Sequence, residues 1–320
     1  MRVRSVKLER FRGIREGELT GFGDLNLFVG KNNSGKSSVV EAISQTLALS
    51  HPSDPAGRVV HEQWRLAHND AHASPELVYR PIPGAQMRVS LVLDDGQTTG
   101  WLVTLNRDGN VGQGESTPIK GATPIAIFRG ADSYDQTIER NLWPRLLRRR
   151  GDKLLVAALN EIFVAKCEAV QLPPDGRLLL LFSDHAVPLD AQGDGVRAAL
   201  RSLMLLAALQ DSVMVIEEPE CHQHPGALKR YANAVCNEAA KLDVQLFVTT
   251  HSGECIRAFL DAADQVPKAN GKGAAAAIYT ALVFHLELND GLLTSRRIEA
   301  ATARGLDGIG TDVRVLDLYE

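Results

Sequence analysis

Leu25-Asn26-Leu27-Phe28-Val29-Gly30-Lys31-Asn32-Asn33-Ser34-Gly35-Lys36-Ser37-Ser38 runs an apolar stretch straight into a loop of glycines and small polar residues. The fold is decided there. Gly30 and Gly35 bracket four residues ahead of Lys36 and Ser37, the G-x-x-x-x-G-K-[ST] spacing in which successive backbone N–H groups curl around the phosphates of a nucleotide. Asn32, Asn33, Ser34 and Ser38 complete the loop, Lys36 is placed to reach the β and γ phosphates, and the Ser37 hydroxyl is placed to hold Mg²⁺. Beyond it Val39, Val40, Ile43 and Leu47 recur at a helical period over residues 37–49, and the N-terminus of that helix adds its partial positive charge at the anion. Strand, phosphate loop and helix in this order predict an α/β P-loop fold that takes ATP and Mg²⁺.

Composition bounds the remainder. With 320 residues, 44% hydrophobic and 23% charged, the chain has the make-up of an ordinary globular α/β protein rather than a disordered or fibrous one. The net charge of −4 supplies no global field for nucleic acid or an anionic membrane, so any DNA contact has to be local. Met1-Arg2-Val3-Arg4-Ser5-Val6-Lys7 is charged with no apolar signal core behind it, and no apolar stretch is long enough to span a bilayer, which gives the expectation of a cytoplasmic protein with no membrane partner. Cys167, Cys221, Cys236 and Cys255 form no C-x-x-C pair, so neither a zinc ribbon nor a redox dithiol is indicated.

Periodicity along the chain predicts a hairpin between residues 3–8 and 25–29, then a surface insertion rich in Pro, His and Asp over 51–83. Strands over 89–93, 101–105 and 124–128, separated by Asp95-Gly96 and Asp108-Gly109, predict an antiparallel patch. A helical lobe spans 134–170. Strands over 178–182, 213–216 and 244–249 then alternate with helices over 196–209, 226–241 and 253–263, the pattern of a parallel β-α-β core. A Gly/Ala/Lys linker at 267–273 leads to 278–288 and 298–318, expected as an edge hairpin and a terminal element. No sustained heptad repeat supports a long coiled-coil arm. The expected organisation is one domain over 1–320, with a core of 1–50 and 178–265, an insertion and β patch over 51–130, a lobe over 131–175 and a tail over 266–320.

Two further strand ends carry chemistry. Met214-Val215-Ile216 ends in Glu217-Glu218; the first acid of such a pair holds Mg²⁺ and the second polarises the attacking water. An aspartate more commonly fills the first place, so Glu217 reaches the metal through one more methylene. Glu218 is the candidate general base. Phe247-Val248-Thr249-Thr250 ends in His251, an imidazole suited to sensing the γ phosphate.

The order of these motifs resembles the ATP-binding-cassette class of P-loop ATPases. Glu217-Glu218-Pro219-Glu220-Cys221-His222-Gln223-His224-Pro225 is similar to the Glu-Glu-Pro-Glu-x-His-x-His-Pro run of the overcoming-lysogenisation-defect (OLD) and RecF-like, SMC-related ATPases. Val6-Lys7-Leu8-Glu9-Arg10-Phe11-Arg12-Gly13 resembles their first strand and Phe-Arg turn. In that class two ATPs are sandwiched between two heads, and a signature loop of one head caps the γ phosphate held by the other. The resemblance implies an ATP-dependent homodimer and assigns the signature to Asp190-Ala191-Gln192-Gly193-Asp194-Gly195, with Gly193 and Gly195 as anion-binding backbone. The usual signature serine is missing. Arg129 or Gln136 stands where a glutamine loop is implied, and His222 and His224 fall in the loop that contacts the opposite head rather than in a metal site.

Asp290, Glu299 and Asp307 form no compact acidic set, so no nuclease activity is expected within this chain. The favoured reading is an ATP-hydrolysing switch that controls a separately encoded effector, with phage defence as the expected setting. The alternative is a RecF-like DNA repair ATPase, with Arg145, Arg148, Arg149, Arg150 and Lys153 as the concentrated basic run. The nucleotide-binding subunit of a membrane transporter shares the fold but not the acid-strand wording.

Overall fold

A computed structural model describes residues 1–67, 77–108, 111–119, 124–266, 279–308, 310–314 and 316, without the side chains of 64–67 and 111–113. The chain opens with β1 (Val3–Phe11), β2 (Ile14–Thr20), β3 (Leu25–Val29), α1 (Lys36–Leu47) and α2 (Val60–Ala67). It continues through β4 (Gln86–Leu93), β5 (Thr98–Leu105), β6 (Val111–Thr117), β7 (Ala126–Phe128), α3 (Thr137–Arg148) and α4 (Gly151–Phe163). Then come β8 (Ala169–Gln171), β9 (Leu179–Leu181), β10 (Ala186–Pro188), α5 (Asp194–Ala207), β11 (Ser212–Glu217) and α6 (Pro225–Lys241). The last elements are β12 (Val244–Thr249), α7 (Gly253–Gln265), β13 (Ala281–Asn289), β14 (Leu292–Glu299) and α8 (Ala300–Gly308).

These elements fall into two compact units, one of Met1–Asp54, Arg58–Ile125 and Ala281–Glu320, the other of Pro55–Gly57 and Ala126–Thr280. In the first unit the strand order is β6-β5-β4-β1-β2-β14-β13-β3. β1 pairs antiparallel with both β2 and β4, while β14 joins β2 and β13 joins β3 in parallel. All five residues of β3 are buried, including Asn26, whose side chain accepts from the Gly23 N–H at 2.8 Å and returns a bond to the Gly23 carbonyl at 3.1 Å. Phe22, Phe28 and Phe284 meet edge to face with centroids 5.1–6.0 Å apart beside it. Helix α1 packs against β1, β4 and β5, and Trp101 donates its indole N–H to Thr46 Oγ1 at 3.0 Å.

The second unit carries a parallel sheet ordered β12-β11-β7, with Glu217 opposite Thr249 at one end of the β11–β12 pair. A separate antiparallel sheet, β10-β9-β8, accompanies the helices α3 to α5. At the centre of this unit Arg201 of α5 is fully buried, donating to both oxygens of Glu139 on α3 at 2.9 and 2.6 Å and to Asp190 Oδ1 at 2.8 Å, and contacting the Ser133 carbonyl. Burial works against its charge, but the bonds from Glu139 and Asp190 outweigh it and hold the guanidinium above its ordinary range. Among the described residues no helix is long and apolar enough to cross a membrane.

Several expectations need correction. Residues 25–29 are not the hairpin partner of 3–8: the turn-rich stretch between them contains β2, which takes that edge of β1, and β3 instead adds to β13. The segment 51–83 is not all surface, because Asp54, Ala56, Val60, Leu77 and Val78 are buried and α2 lies within it. Residues 126–128 belong to the parallel sheet beside β11 rather than to the antiparallel patch, whose outer strand is β6. The 281–299 hairpin is not an edge feature, since both of its strands are flanked by strands from the N-terminal fifty residues. The linker at 267–273, Gly109 and the end of the tail lie outside the described residues.

Removing one member of a buried ion cluster strands the others without their counter-charge. Arg201→Ala is therefore expected to cost about 3–5 kcal/mol in urea unfolding followed by circular dichroism, and Arg201→Met combined with Glu139→Leu to recover much of that loss. A loss below about 1 kcal/mol for Arg201→Ala, the range of exposed pairs, would contradict the buried cluster.

Candidate nucleotide-binding site

The phosphate loop leaves β3 at Gly30, whose φ of +138° is open to glycine, and a Cβ there would stand 2.4 Å from the Leu286 carbonyl oxygen of β13. Lys31, Asn32 and Asn33 form the exposed tip, with Asn33 at φ +62°, and Ser34 turns back inward to donate its N–H to the Lys31 carbonyl at 3.2 Å. Gly35, at φ +92°, is the residue before α1 and gives that helix no side-chain cap hydrogen bond. Free N–H groups at a helix start, together with the helix dipole, attract anions, which is what the expected phosphate loop requires. Lys36 is buried and folds across the loop, its Nζ donating to the carbonyls of Gly30 and Lys31 at 3.0 and 2.8 Å and lying 3.4 Å from Ser34 Oγ. Ser37 is exposed at the same helix end and Ser38 half-buried. The loop thus fits a triphosphate, with the Ser37 hydroxyl as the hard oxygen donor that Mg²⁺ prefers.

Sequence reasoning gave no role to Glu41, yet it anchors this helix. Arg12, in the β1–β2 turn at φ +50°, donates to both oxygens of the fully buried Glu41 at 2.6 Å each, and Gln45 adds a third bond at 2.7 Å. A bidentate pair of this kind fixes direction as well as distance. The Phe-Arg turn was the available signal, without a hint of its partner.

The paired acids and the histidine lie in the second unit. Glu217 ends β11 half-buried; Glu218 follows at φ +48°, exposed, with its N–H on the Thr249 carbonyl at 3.0 Å. A left-handed non-glycine residue at a strand end is the kind of backbone that is held in place at functional sites. His251 stands at the neighbouring tip with Nε2 3.6 Å from Glu218 Oε1, so the structure brings the two together. Glu220 joins them: its Oε1 accepts from the Thr250 hydroxyl at 2.6 Å and from the His251 N–H at 3.0 Å. Cys221 donates its thiol to Glu218 Oε2 at 3.3 Å, and partial burial followed by this bond pushes the thiol up to about 11.

The stretch expected to be the signature is a short 3₁₀ turn, Leu189–Ala191, leading through an extended Gly193 into α5. Gly193 is exposed, whereas a Cβ on Gly195 would stand 2.6 Å from the His222 carbonyl oxygen, and Gln223 Nε2 donates to the Gly195 carbonyl at 2.8 Å. His222 also approaches Asp194 at 4.0 Å, so His222 and Gln223 brace the signature turn. Of the two glutamine-loop candidates, Gln136 donates to Asp190 Oδ2 at 2.7 Å, and the Arg129 N–H bonds Asp132 at 2.8 Å.

A glycine-bent loop at a helix N-terminus, with its lysine folded across it, defines a P-loop nucleotide-binding domain. The chain belongs to the AAA ATPase domain family, whose profile matches residues 1–74 and 130–256, more than half of its length. It has the fold of an SMC-related P-loop ATPase. The SMC head domain from Thermotoga maritima is similar with a TM-score of 0.54 at 14% identity, covering 93% of this chain and 100% of that one. An SMC head bound to the C-terminal winged-helix domain of ScpA gives 0.61 at 13% identity, with 95% and 100% covered. The Smc head with an extended coiled coil from Pyrococcus furiosus, bound to the C-terminal domain of ScpA, gives 0.56 at 12% identity, with 97% and 100% covered. Two uncharacterized proteins of Methanocaldococcus jannaschii, MJECL10 and MJECL11, are 41% identical over 46 residues and 30% identical over 73. Those stretches span 14% and 23% of this chain, and 21% and 64% of the relatives' own lengths.

The Cys221–Glu218 contact has a direct chemical readout. Glu218→Gln removes the carboxylate that favours the protonated thiol, so the Cys221 pKa falls and its alkylation by iodoacetamide at pH 9 speeds up several-fold, roughly in proportion to the added thiolate. Cys167, Cys236 and Cys255 are buried and give a slow background. An unchanged rate would separate the two side chains.

Proposed function

We propose that the chain is an ATP-hydrolysing switch whose heads close in pairs around Mg·ATP and, through that association, control a separately encoded effector. The observation that carries this reading is the N-terminus of α1 behind Gly35, without a side-chain cap hydrogen bond and with Lys36 folded across the loop, in a chain that also presents a Glu218–His251 pair at a strand end. Lys36 and the loop amides would neutralise the β and γ phosphates, and Ser37 and Glu217 are the residues that would hold Mg²⁺, which would supply charge stabilisation to the triphosphate when bound. Glu218 orients the attacking water and takes its proton, while His251 donates to the γ phosphate and reports its loss. Gly193 and Gly195 of one copy would offer backbone N–H groups to the nucleotide of the other. Turnover is slow because Glu217 reaches Mg²⁺ through a longer arm than aspartate and because the signature loop lacks its serine.

Two similar SMC heads have structures with ScpA domains bound, which supports a head that carries a partner protein. The acid-strand wording favours the OLD branch of the family, and with it a phage-defence setting and a cytoplasmic location. In light scattering, Glu218→Gln is expected to bind Mg·ATP, to stall hydrolysis and to double in mass with nucleotide. A variant that stays monomeric in every condition contradicts the paired heads.

A second reading, a DNA-clamping repair ATPase, is favoured by one surface. Arg148, Arg149, Arg150 and Lys153 are exposed at the α3–α4 corner, and burial together with Arg149 and Arg148 pushes the Arg145 guanidinium down. Among the described residues Asp152 is the acid seen there, 3.4 Å from Arg150. Retention on duplex DNA that falls steeply with salt and disappears when the five cations are neutralised would select this reading. A flat salt response selects the partner switch.

A further inference from the structure

We infer that Glu220 is a positioning residue that sets His251 against Glu218, an inference that rests on reading those two as the hydrolytic pair. Glu220 lies two residues beyond Glu218 in the 3₁₀ turn Pro219–His222, so a displacement of its carboxylate is passed to Glu218 through a turn rigidified by Pro219. Across the gap, one oxygen of Glu220 holds the turn after β12 at two successive points. Oε1 takes the Thr250 hydroxyl at 2.6 Å and the His251 N–H at 3.0 Å.

Thr250 passes this anchor onward, because its Oγ1 accepts from the Ser252 N–H at 2.9 Å and Ser252 in turn caps α7 by accepting from the Cys255 N–H at 3.2 Å. His251 is therefore fixed on both sides by a network that ends on one carboxylate. Its imidazole, although exposed, is presented with Nε2 3.6 Å from Glu218 Oε1. The register of the parallel pair ends with Glu217 opposite Thr249, and one further backbone bond, from the Glu218 N–H to the Thr249 carbonyl at 3.0 Å, joins the strand ends. Glu220 extends that tie to Thr250 and His251.

The tie calls for a strong acceptor. Among the described residues the second oxygen, Oε2, is buried outside any geometric hydrogen bond, while the Cys255 thiol lies close enough that, after burial, the Glu220 charge helps push it up. The strong double acceptor at Oε1 is what an amide or hydroxyl would supply less well.

The test follows the His251 imidazole by NMR in the whole chain, as wild type, E218Q, E220A and E218Q/E220A, beside Mg·ATP hydrolysis. In the wild-type background E218Q shifts the His251 ring resonances; with E220A in place that response falls at least about threefold, the coupling being lost with the geometry. E220A lowers kcat about tenfold while the KM for ATP stays within about twofold. E220Q keeps an acceptor oxygen at the Oε1 position and recovers most of both, and it carries the test if E220A melts early. A His251 response to E218Q that survives E220A undiminished overturns the inference. Coupling that depends on Glu220 in a wild type that hydrolyses no ATP defeats the ATPase reading and leaves the positioning role standing, whereas brisk turnover with coupling indifferent to Glu220 does the reverse.

Discussion

The bend at Gly30 is a steric requirement before it is a chemical one. The Leu286 carbonyl of β13 occupies the space where any Cβ would project, and the backbone swings to φ +138° to pass it. A loop so constrained delivers Gly35 to the start of α1, where no side-chain cap hydrogen bond occupies the helix N-terminus among the described residues. Lys36 completes the curve by binding the carbonyls of Gly30 and Lys31, which keeps an ammonium beside the amides. The anion seat is thus held from two directions, by β13 pressing on the strand end and by the Arg12–Glu41 pair steering the helix.

The second unit shows the same economy of anchors. Arg201 gathers Glu139 and Asp190 and contacts the Ser133 carbonyl, so α3, the 3₁₀ turn at Leu189–Ala191 and α5 share one charged centre. Asp190 also takes Gln136, and Gly195 lies under the His222 carbonyl, which fixes the signature turn from both ends. In these places buried charge sets direction rather than adding much stability, the use of buried polar groups that specificity arguments describe.

The phosphate loop was legible because its chemistry is local: two glycines, a lysine and a serine at fixed spacing, between an apolar strand and a periodic helix. The strand ends at Glu217 and Thr249 were legible for the same reason. The hairpin of β13 and β14 was misplaced because parallel pairing with β3 and β2 joins segments more than 250 residues apart, and an amphipathic pattern states which face is buried but not which neighbour lies beside it. The β1–β2 hairpin was missed because Glu16, Gly17 and Glu18 look like turn residues, although Ile14, Gly17 and Leu19 line the inner face of a strand. Glu41, Arg201 and Glu220 are charged residues that sequence alone assigns to solvent or to no role. Their partners Arg12, Glu139 and Thr250 come from other elements, and the pairings appear only when those elements are packed.

Calorimetric titration of the folded chain with Mg·ATP, set beside Lys36→Ala, tests most directly whether the Gly30–Ser38 loop is a triphosphate seat. Saturable uptake by the wild type at one nucleotide per chain, weakened at least about a hundredfold when the buried lysine is removed, is the predicted result. Absent heat with both proteins, or equal affinity for the two, would contradict it.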